Sequence, residues 1–485
     1  MSAQTEADSL EKVRVNLLGK SETELREFFV GMGEAPYRAK QLFSWIYKRQ
    51  VENFNPITGF TKDLRSKLAE VAEIKYPEVI GVEESPTDGT LKLLLQLHDG
   101  HKIETVLIPR EKSPEDEGSL RETVCVSTQV GCPLDCKFCA TGAMKFTRNL
   151  TSGEIISQVF IAQRYAKKRV TNVVFMGMGE PLLNREAVAS VIGILTDDNS
   201  INIRAKAITV STAGIADKIP LMAKEPVKFR LAVSLHSLND EVRSMLMPIN
   251  KKYNLSNLLP AVKEFYRLRH DRITFEYILF DGLNDTKEDI VRLTKLSQEI
   301  PLKINLLRYH PLGHLGKLGL SVDPVALNLK PSGRIDEFAN SLRENGITVF
   351  VRSNSGEDID GACGQLAAKN IHRRKPKLEF LVAPHCRARW EEVRLRRCLR
   401  TPDIRVWRSG PLREAAADLG LLRRLHGCLG VRGVPRRRQE VAAKRPLVSG
   451  PKHNCSPGKS HVDLTLYLVF RNEAFFKNCF RSKLL

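Results

Sequence analysis

The 485-residue sequence has no long hydrophobic run. A transmembrane helix needs about 20 consecutive apolar residues, so the sequence predicts no membrane-spanning helix. The first residues, MSAQTEADSLEKVRVN, are polar and lack the apolar core of a secretion signal, and they do not resemble a mitochondrial presequence. We therefore expect a cytoplasmic protein, in which clustered thiols bind metal or do chemistry more often than they form structural disulfides.

Most of the chain also lacks an excess of positive charge. The formal net charge is +20, but residues 371–485 hold 27 Lys and Arg against 9 Asp and Glu, and the residues before them hold 49 against 47. Bulk charge therefore gives no indication that the main body binds nucleic acid. Residues 371–485 show no sustained hydrophobic period, and we expect an Arg-rich tail that is disordered or non-native, such as the product of a shifted reading frame. The alternative is a separate basic RNA-binding tail.

The residues that are present predict a small helical domain over 1–95. Three segments have a helical apolar period: SETELREFFVGMG with Ser21 as N-cap, YRAKQLFSWIYKRQ after Pro36, and TKDLRSKLAEVAEI. Residues 96–117 are assigned to a β-hairpin and linker, because the alternating segment DGTLKLLLQLHDGHKIETVLIPR turns at Asp99-Gly100.

Residues 118–370 change in pattern. Seven short apolar or β-branched runs alternate with helix-length segments, from TVCVST to GITVFVRS. This order is typical of βα repeats and a parallel sheet. Because such folds carry their active sites at the C-terminal ends of the strands, we expect the chemistry there.

Cysteines are concentrated in CVSTQVGCPLDCKFCA, residues 125–140. Cys132, Cys136 and Cys139 have the spacing C-x3-C-x2-C, and thiolates bind zinc or iron–sulfur clusters. A structural zinc site usually has a second pair of cysteines, which is missing. Three thiolates would leave one iron of a four-iron cluster open for a substrate. A four-cysteine zinc site that also uses Cys125 is the alternative.

This motif, with the aromatic Phe138 before its last cysteine, resembles the radical S-adenosylmethionine (SAM) superfamily. The segment MGMGEPLLN at 176–184 is similar to the superfamily motif whose backbone and glutamate, here Glu180, hold the amino group of SAM. The resemblance implies an α/β fold, a partial (β/α)6 TIM-like barrel with the helical accessory domain at its N-terminus. It also implies a [4Fe-4S] cluster, held by Cys132, Cys136 and Cys139, whose open iron binds SAM.

Further segments resemble the RlmN family within this superfamily, among them REFFVGMGEAPYRAKQLFSWIY, CVSTQVGC, ITVSTAG, AVSLHS and GEDIDGACGQLA. That resemblance implies methylation of carbon 2 of adenine in 23S ribosomal RNA, at the peptidyl transferase centre, and in transfer RNA, next to the anticodon. It also implies that the accessory domain binds RNA, that an electron donor such as flavodoxin reduces the cluster, and that the protein is a monomer.

The family resemblance assigns roles to three residues. Cys363 accepts a methyl group from one SAM, and a 5′-deoxyadenosyl radical from a second SAM removes hydrogen from that methyl group. The resulting carbon radical adds to adenine and links the RNA to Cys363. Cys125 then attacks the linked sulfur and leaves a transient disulfide bond. Glu104 is the expected proton acceptor.

The same resemblance assigns the contacts to SAM. They are Gly179, Glu180, Ser211, Ser234, Leu235, His236 and His310, where the family pattern has Asn in place of His310. Two other functions stay open on the sequence: a methyltransferase of the same superfamily that modifies carbon 8 of adenine, and a non-catalytic RNA-binding protein acting through the basic tail.

Overall fold

The computed structural model describes residues 14–110, 121–312, 315–316, 319–353 and 355–368. The N-terminal part contains a two-stranded parallel sheet and three helices: β1 (Val15–Asn16), α1 (Glu22–Gly31), α2 (Arg38–Tyr47), α3 (Lys62–Val71) and β2 (Ala72–Glu73). The three predicted helices are confirmed. Ser21 accepts from the Glu24 backbone N–H while the Glu24 side chain accepts from the Ser21 N–H, so a capping box starts α1.

One ten-stranded sheet forms the centre of the described structure. Its strands lie in the order β14, β13, β12, β11, β10, β9, β6, β5, β4, β3. Their bounds are β3 (Glu78–Glu84), β4 (Leu91–Gln96), β5 (Lys102–Arg110), β6 (Arg121–Cys125), β9 (Asn172–Phe175), β10 (Ile208–Thr212), β11 (Arg230–Ser234), β12 (Ile273–Leu279), β13 (Leu302–Arg308) and β14 (Thr348–Val351). The strands from β6 to β14 pair in parallel, and β3 to β6 pair antiparallel.

Helices connect the parallel strands, so six βα units are followed by the terminal strand β14. These helices are α4 (Ala140–Ala143), α5 (Ser152–Ala166), α6 (Arg185–Thr196), α7 (Ile219–Lys224), α8 (Asp240–Leu246), α9 (Leu255–Arg269), α10 (Lys287–Glu299), α11 (Pro324–Asn328) and α12 (Ile335–Glu344). A second small sheet pairs β7 (Gln129–Val130) with β8 (Arg148–Asn149). The sheet order ends at β14 and β3, which do not pair, so the barrel is partial, as the family resemblance implies.

The predicted hairpin is present but belongs to a larger unit. Strands β4 and β5 turn at Gly100, where the Leu97 N–H donates a hydrogen bond to the His101 carbonyl at 2.8 Å. Strand β3, which was not predicted from the sequence, pairs with β4 and extends the barrel sheet. The boundary set at residue 95 therefore lies within β4. Among the described helices, none is long and apolar enough to cross a membrane.

Candidate active site

A cavity of about 150 Å³ opens at the C-terminal ends of the parallel strands. The loop after β6, the loop after β9 and the ends of β10 and β11 form its walls. Nine of the residues singled out in the sequence line it: Cys132, Cys136, Cys139, Gly179, Glu180, Ser211, Ser234, His236 and Cys363. The chemistry is therefore located where a parallel β/α fold places it.

The three clustered cysteines lie on the turn between β7 and α4. Gly131 permits this turn, since its φ is +70° and an added Cβ would lie 1.6 Å from the Lys145 carbonyl oxygen. Burial raises the pKa of Cys132 to about 12 and also raises the pKa values of Cys136 and Cys139. Metal binding would replace these protons, because the thiolate is the ligand.

The donor chemistry of this loop fits an iron–sulfur cluster. Three thiols share one cavity, and Phe138 between them packs its ring against His236, with ring centroids 4.6 Å apart. In the part of the chain that the structure describes, no group of three His, Cys, Asp or Glu side chains lies close enough to hold a single metal ion. A zinc site gathers its sulfurs about 2.3 Å from one ion, whereas in a four-iron cluster each thiolate binds a different iron.

Glu180 presents a buried carboxylate in the same cavity. Its two oxygens accept from the backbone N–H groups of Leu182, at 3.0 Å, and Ala213, at 2.8 Å. Burial raises the pKa of Glu180 to about 7, and these two hydrogen bonds oppose the rise. Gly179 lets the backbone pass close to Gln129, because its φ is +103° and a Cβ there would lie 2.6 Å from the Gln129 Cβ. The wall fits a polar, cationic group such as the amino group of an amino acid.

His236 is held as a neutral ring. Its Nδ1 accepts from the Ile278 N–H at 3.0 Å, so Nε2 carries the ring proton. Burial, with a smaller contribution from Arg243, lowers the pKa of His236 to about 3. The ring lines the cavity, where an imidazole N–H is a hydrogen-bond donor rather than a charge.

Cys363 reaches the same cavity from the other end of the chain. Its side chain is exposed, and Gly364 beside it also lines the wall. The Gly364 carbonyl accepts from the Ala140 N–H at 2.7 Å, and the Leu366 carbonyl accepts from Thr141 Oγ1 at 2.7 Å. These bonds attach the Cys363 loop to the helix that follows the cysteine cluster. Although the thiol is accessible, the surrounding protein atoms raise its pKa.

Cys125 lies behind this cavity, at the end of β6. It is buried, with 8% of its surface exposed, and its carbonyl accepts from Thr105 Oγ1 at 2.7 Å. Burial, followed by the charge of Cys363, raises the pKa of Cys125 to about 12. All five cysteines among the described residues are free thiols, so the structure does not support a disulfide bond between Cys125 and Cys363 in this state.

Glu104 is placed next to the Cys363 loop without lining the cavity. It is 1% exposed on β5, and its Oε2 accepts from the Ala367 N–H at 2.9 Å. Its Oε1 lies 4.0 Å from the ammonium group of Lys92. Glu104 is therefore a buried residue of β5 rather than one exposed on the strand surface.

Two further predicted contacts lie outside the cavity wall. His310 Nδ1 lies 3.1 Å from Glu357 Oε1, and the imidazole is 9% exposed. Leu235 is fully buried, and its carbonyl accepts from Arg243 Nε at 3.1 Å. Both residues stay predictions as contacts of SAM.

Two buried charged residues at the site were not predicted from the sequence. Glu276 of β12 lines the cavity, and burial raises its pKa. It is the one charged residue in the apolar run ITFEYIL, and this position could have identified it as a candidate site residue. Arg243 is fully buried and donates to the carbonyls of Ala213, Ser234 and Leu235, which holds the ends of β10 and β11 together. The sequence of α8 gives no comparable indication for Arg243.

Comparisons with known proteins agree with this geometry. The family model described as "Ribosomal RNA large subunit methyltransferase N-terminal domain" matches residues 15–74, and the "Radical SAM superfamily" model matches residues 126–294. A solved radical SAM methyltransferase from Sphaerobacter thermophilus is 38% identical, with a TM-score of 0.65; the similarity covers 73% of this chain and 100% of that one. The fold and site thus define a radical SAM methyltransferase, a class that uses a [4Fe-4S] cluster and SAM.

Two curated relatives identify the family. The "Probable dual-specificity RNA methyltransferase RlmN" of Cytophaga hutchinsonii is 41% identical over 374 residues, covering 76% of this chain and 97% of the relative. The "Dual-specificity RNA methyltransferase RlmN" of Alcanivorax borkumensis is 40% identical over 400 residues, covering 80% and 97%. The chain belongs to the RlmN family and is a SAM-dependent RNA methyltransferase. The expected tail, residues 371–485, lies outside the described residues.

Proposed function

We propose that this enzyme methylates carbon 2 of adenine in 23S ribosomal RNA and in transfer RNA, with Cys363 as the carrier of the methyl group. The observation that supports this is the position of Cys363. An exposed thiol lines the same cavity as three cysteines with cluster spacing, although 224 residues separate it from Cys139 in the chain. A methyltransferase that passed the methyl group directly to RNA would not need this thiol.

The residues of the cavity divide into binding and reacting groups. Cys132, Cys136 and Cys139 would hold the cluster, while Glu180 would accept hydrogen bonds from the amino group of SAM. When bound, the cluster supplies one electron to SAM and so provides the radical chemistry that an electron-poor, non-acidic C–H bond requires. His310 and Leu235 are proposed as further contacts, and the protein is proposed to work as a cytoplasmic monomer with a donor such as flavodoxin.

The protein's own thiols carry the remaining steps. Cys363 first takes a methyl group from SAM as a nucleophile. After the methylene carbon is joined to adenine, Glu104 accepts the proton lost from carbon 2, and the cluster, when bound, would take back the one electron that it supplied. The sulfur of Cys125 then attacks the sulfur of Cys363 and forms a transient disulfide. The carbon–sulfur bond breaks with its electron pair on the methylene carbon, which takes up the proton from the Cys125 thiol and becomes the methyl group of the released base. The buried position of Cys125 protects it from electrophiles and oxidants until that step. The target adenine must leave its stack to enter the cavity.

A label-transfer experiment tests the carrier role. The enzyme, prepared anaerobically with its cluster, is incubated with methyl-labelled SAM and no RNA, and its peptides are analysed by mass spectrometry. We expect the label on Cys363, and its passage into RNA adenine when RNA and reductant are added with unlabelled SAM. The Cys363→Ala variant should take up no label at this peptide. RNA that is labelled without prior label on Cys363 would contradict the proposal.

A further inference from the structure

Lys92 is one of the largest fully buried side chains of the described structure, and the reaction outlined above does not use it. It lies on β4 with 1% of its surface exposed. A buried ammonium group costs several kcal/mol unless charged or polar partners surround it. The groups around the ammonium therefore indicate the role of Lys92.

Three groups surround the Lys92 ammonium. Glu83 Oε2, across the strand pair on β3, lies at 2.7 Å, and Glu104 Oε1 on β5 lies at 4.0 Å. The third neighbour is the carbonyl oxygen of Ile359, to which Nζ donates a hydrogen bond. Strands β3, β4 and β5 thus meet the segment that leads to Cys363 at a single buried cation.

The contacts of Lys92 and Glu104 bracket Cys363. Ile359 is four residues before it and Ala367 four residues after it, and Ala367 donates its N–H to the same Glu104 carboxylate that faces Lys92. Along the chain, the whole barrel separates these strands from the loop. The buried pair therefore fixes both ends of the loop that carries the reactive thiol.

We propose that Lys92 is a positioning residue for the methylation of Cys363, which rests on the carrier role proposed above. In that step the sulfur of Cys363 forms a bond to the methyl carbon of SAM. The bond between this carbon and the sulfonium sulfur breaks, its electron pair stays on the departing S-adenosylhomocysteine, and the thiol proton is released to solvent. Displacement requires the two atoms in line at close distance, and a shift of about 1 Å can slow such a step about 100-fold.

The test measures methylation of Cys363 by labelled SAM in the cluster-loaded, full-length enzyme, without RNA. In Lys92→Met we expect the rate at Cys363 to fall by about 10- to 100-fold, with iron content and SAM affinity unchanged. Lys92→Arg, which keeps a cation with several donors, should regain part of the rate. Lys75→Met is the matched control, because Lys75 is exposed and forms its ion pair with Glu73. It should methylate Cys363 at the unsubstituted rate.

A second variant separates position from stability. Lys92→Met leaves Glu104 buried beside an apolar side chain and should lower the melting temperature. The double variant Lys92→Met/Glu104→Gln removes both buried charges and should recover the melting temperature while methylation of Cys363 stays slow. Recovery of both together, or an unsubstituted rate in Lys92→Met, would overturn the proposal.

A chemical probe reports the loop independently of the proposed function. We expect iodoacetamide to modify Cys363 at a different rate in Lys92→Met than in the unsubstituted enzyme, and at an unchanged rate in Lys75→Met. Equal rates in all three proteins would also overturn the positioning role. If the unsubstituted enzyme takes no methyl label at Cys363 but its iodoacetamide rate responds to Lys92→Met, the carrier role fails and the attachment of the loop to Lys92 stands.

Discussion

Replacement of Cys125 by alanine should trap the enzyme on its RNA. The variant keeps Cys363 in the cavity and should still methylate it and still attack adenine, but it has no thiol to cleave the bond between Cys363 and the RNA. Denaturing gels should therefore show protein covalently linked to RNA, with the link mapped to Cys363 by mass spectrometry. The small buried side chain at the end of β6 makes this a minor change to the fold.

Two variants control this prediction. Cys363→Ala should form no adduct, and Cys125→Ala/Cys363→Ala should behave like Cys363→Ala, because the link precedes its cleavage. Normal turnover by Cys125→Ala would contradict the assignment and would leave Cys125 as a buried strand residue. An adduct in Cys125→Ala that maps to another residue would remove the carrier role from Cys363.

Replacement of Cys136 by alanine should remove the cluster and abolish all methyl transfer to RNA. Cys136 lies in the middle of the cluster loop, and two thiolates do not hold a four-iron cluster with the stability of three. We expect about four irons per chain in the unsubstituted protein prepared anaerobically, and almost none in Cys136→Ala. Iron analysis and the visible absorption of the cluster measure this directly.

Cys125→Ala is the matched control, since it removes a thiol from the same segment but from outside the cavity wall. It should keep its iron. Loss of iron in Cys125→Ala would make Cys125 a fourth ligand of the iron, and zinc without iron in the unsubstituted protein would support the four-cysteine zinc site. Either result would contradict the assignment of a cluster held by three cysteines.

Local signals in the sequence predict local structure well. The cap at Ser21, the turn at Gly100 and the short apolar or β-branched runs of the barrel all act over a few residues, and the structure confirms each of them. The cysteine spacing also determines a compact loop. For these elements a few neighbours in sequence supply most of the interactions.

Contacts between segments that are distant in sequence could not be predicted from such local signals. The sequence of β3 shows little alternation of apolar and polar residues. The strand forms because β4 offers an unpaired edge. In the sequence, Lys92 resembles a solvent-exposed strand residue. Its burial depends on the loop after β14, which packs over it. The approach of His310 Nδ1 to Glu357 Oε1, at 3.1 Å, also joins two segments that are distant in sequence.

The most direct test of the account is nucleoside mass spectrometry of RNA from a strain that lacks its own RlmN and expresses this protein. The cysteines are shared with the enzyme that modifies carbon 8, so the product decides the position of methylation. The account predicts 2-methyladenosine in both 23S ribosomal RNA and transfer RNA, and none of it in the same strain expressing Cys363→Ala. 8-Methyladenosine in its place, or unmodified adenosine with the protein present and its cluster loaded, would contradict it.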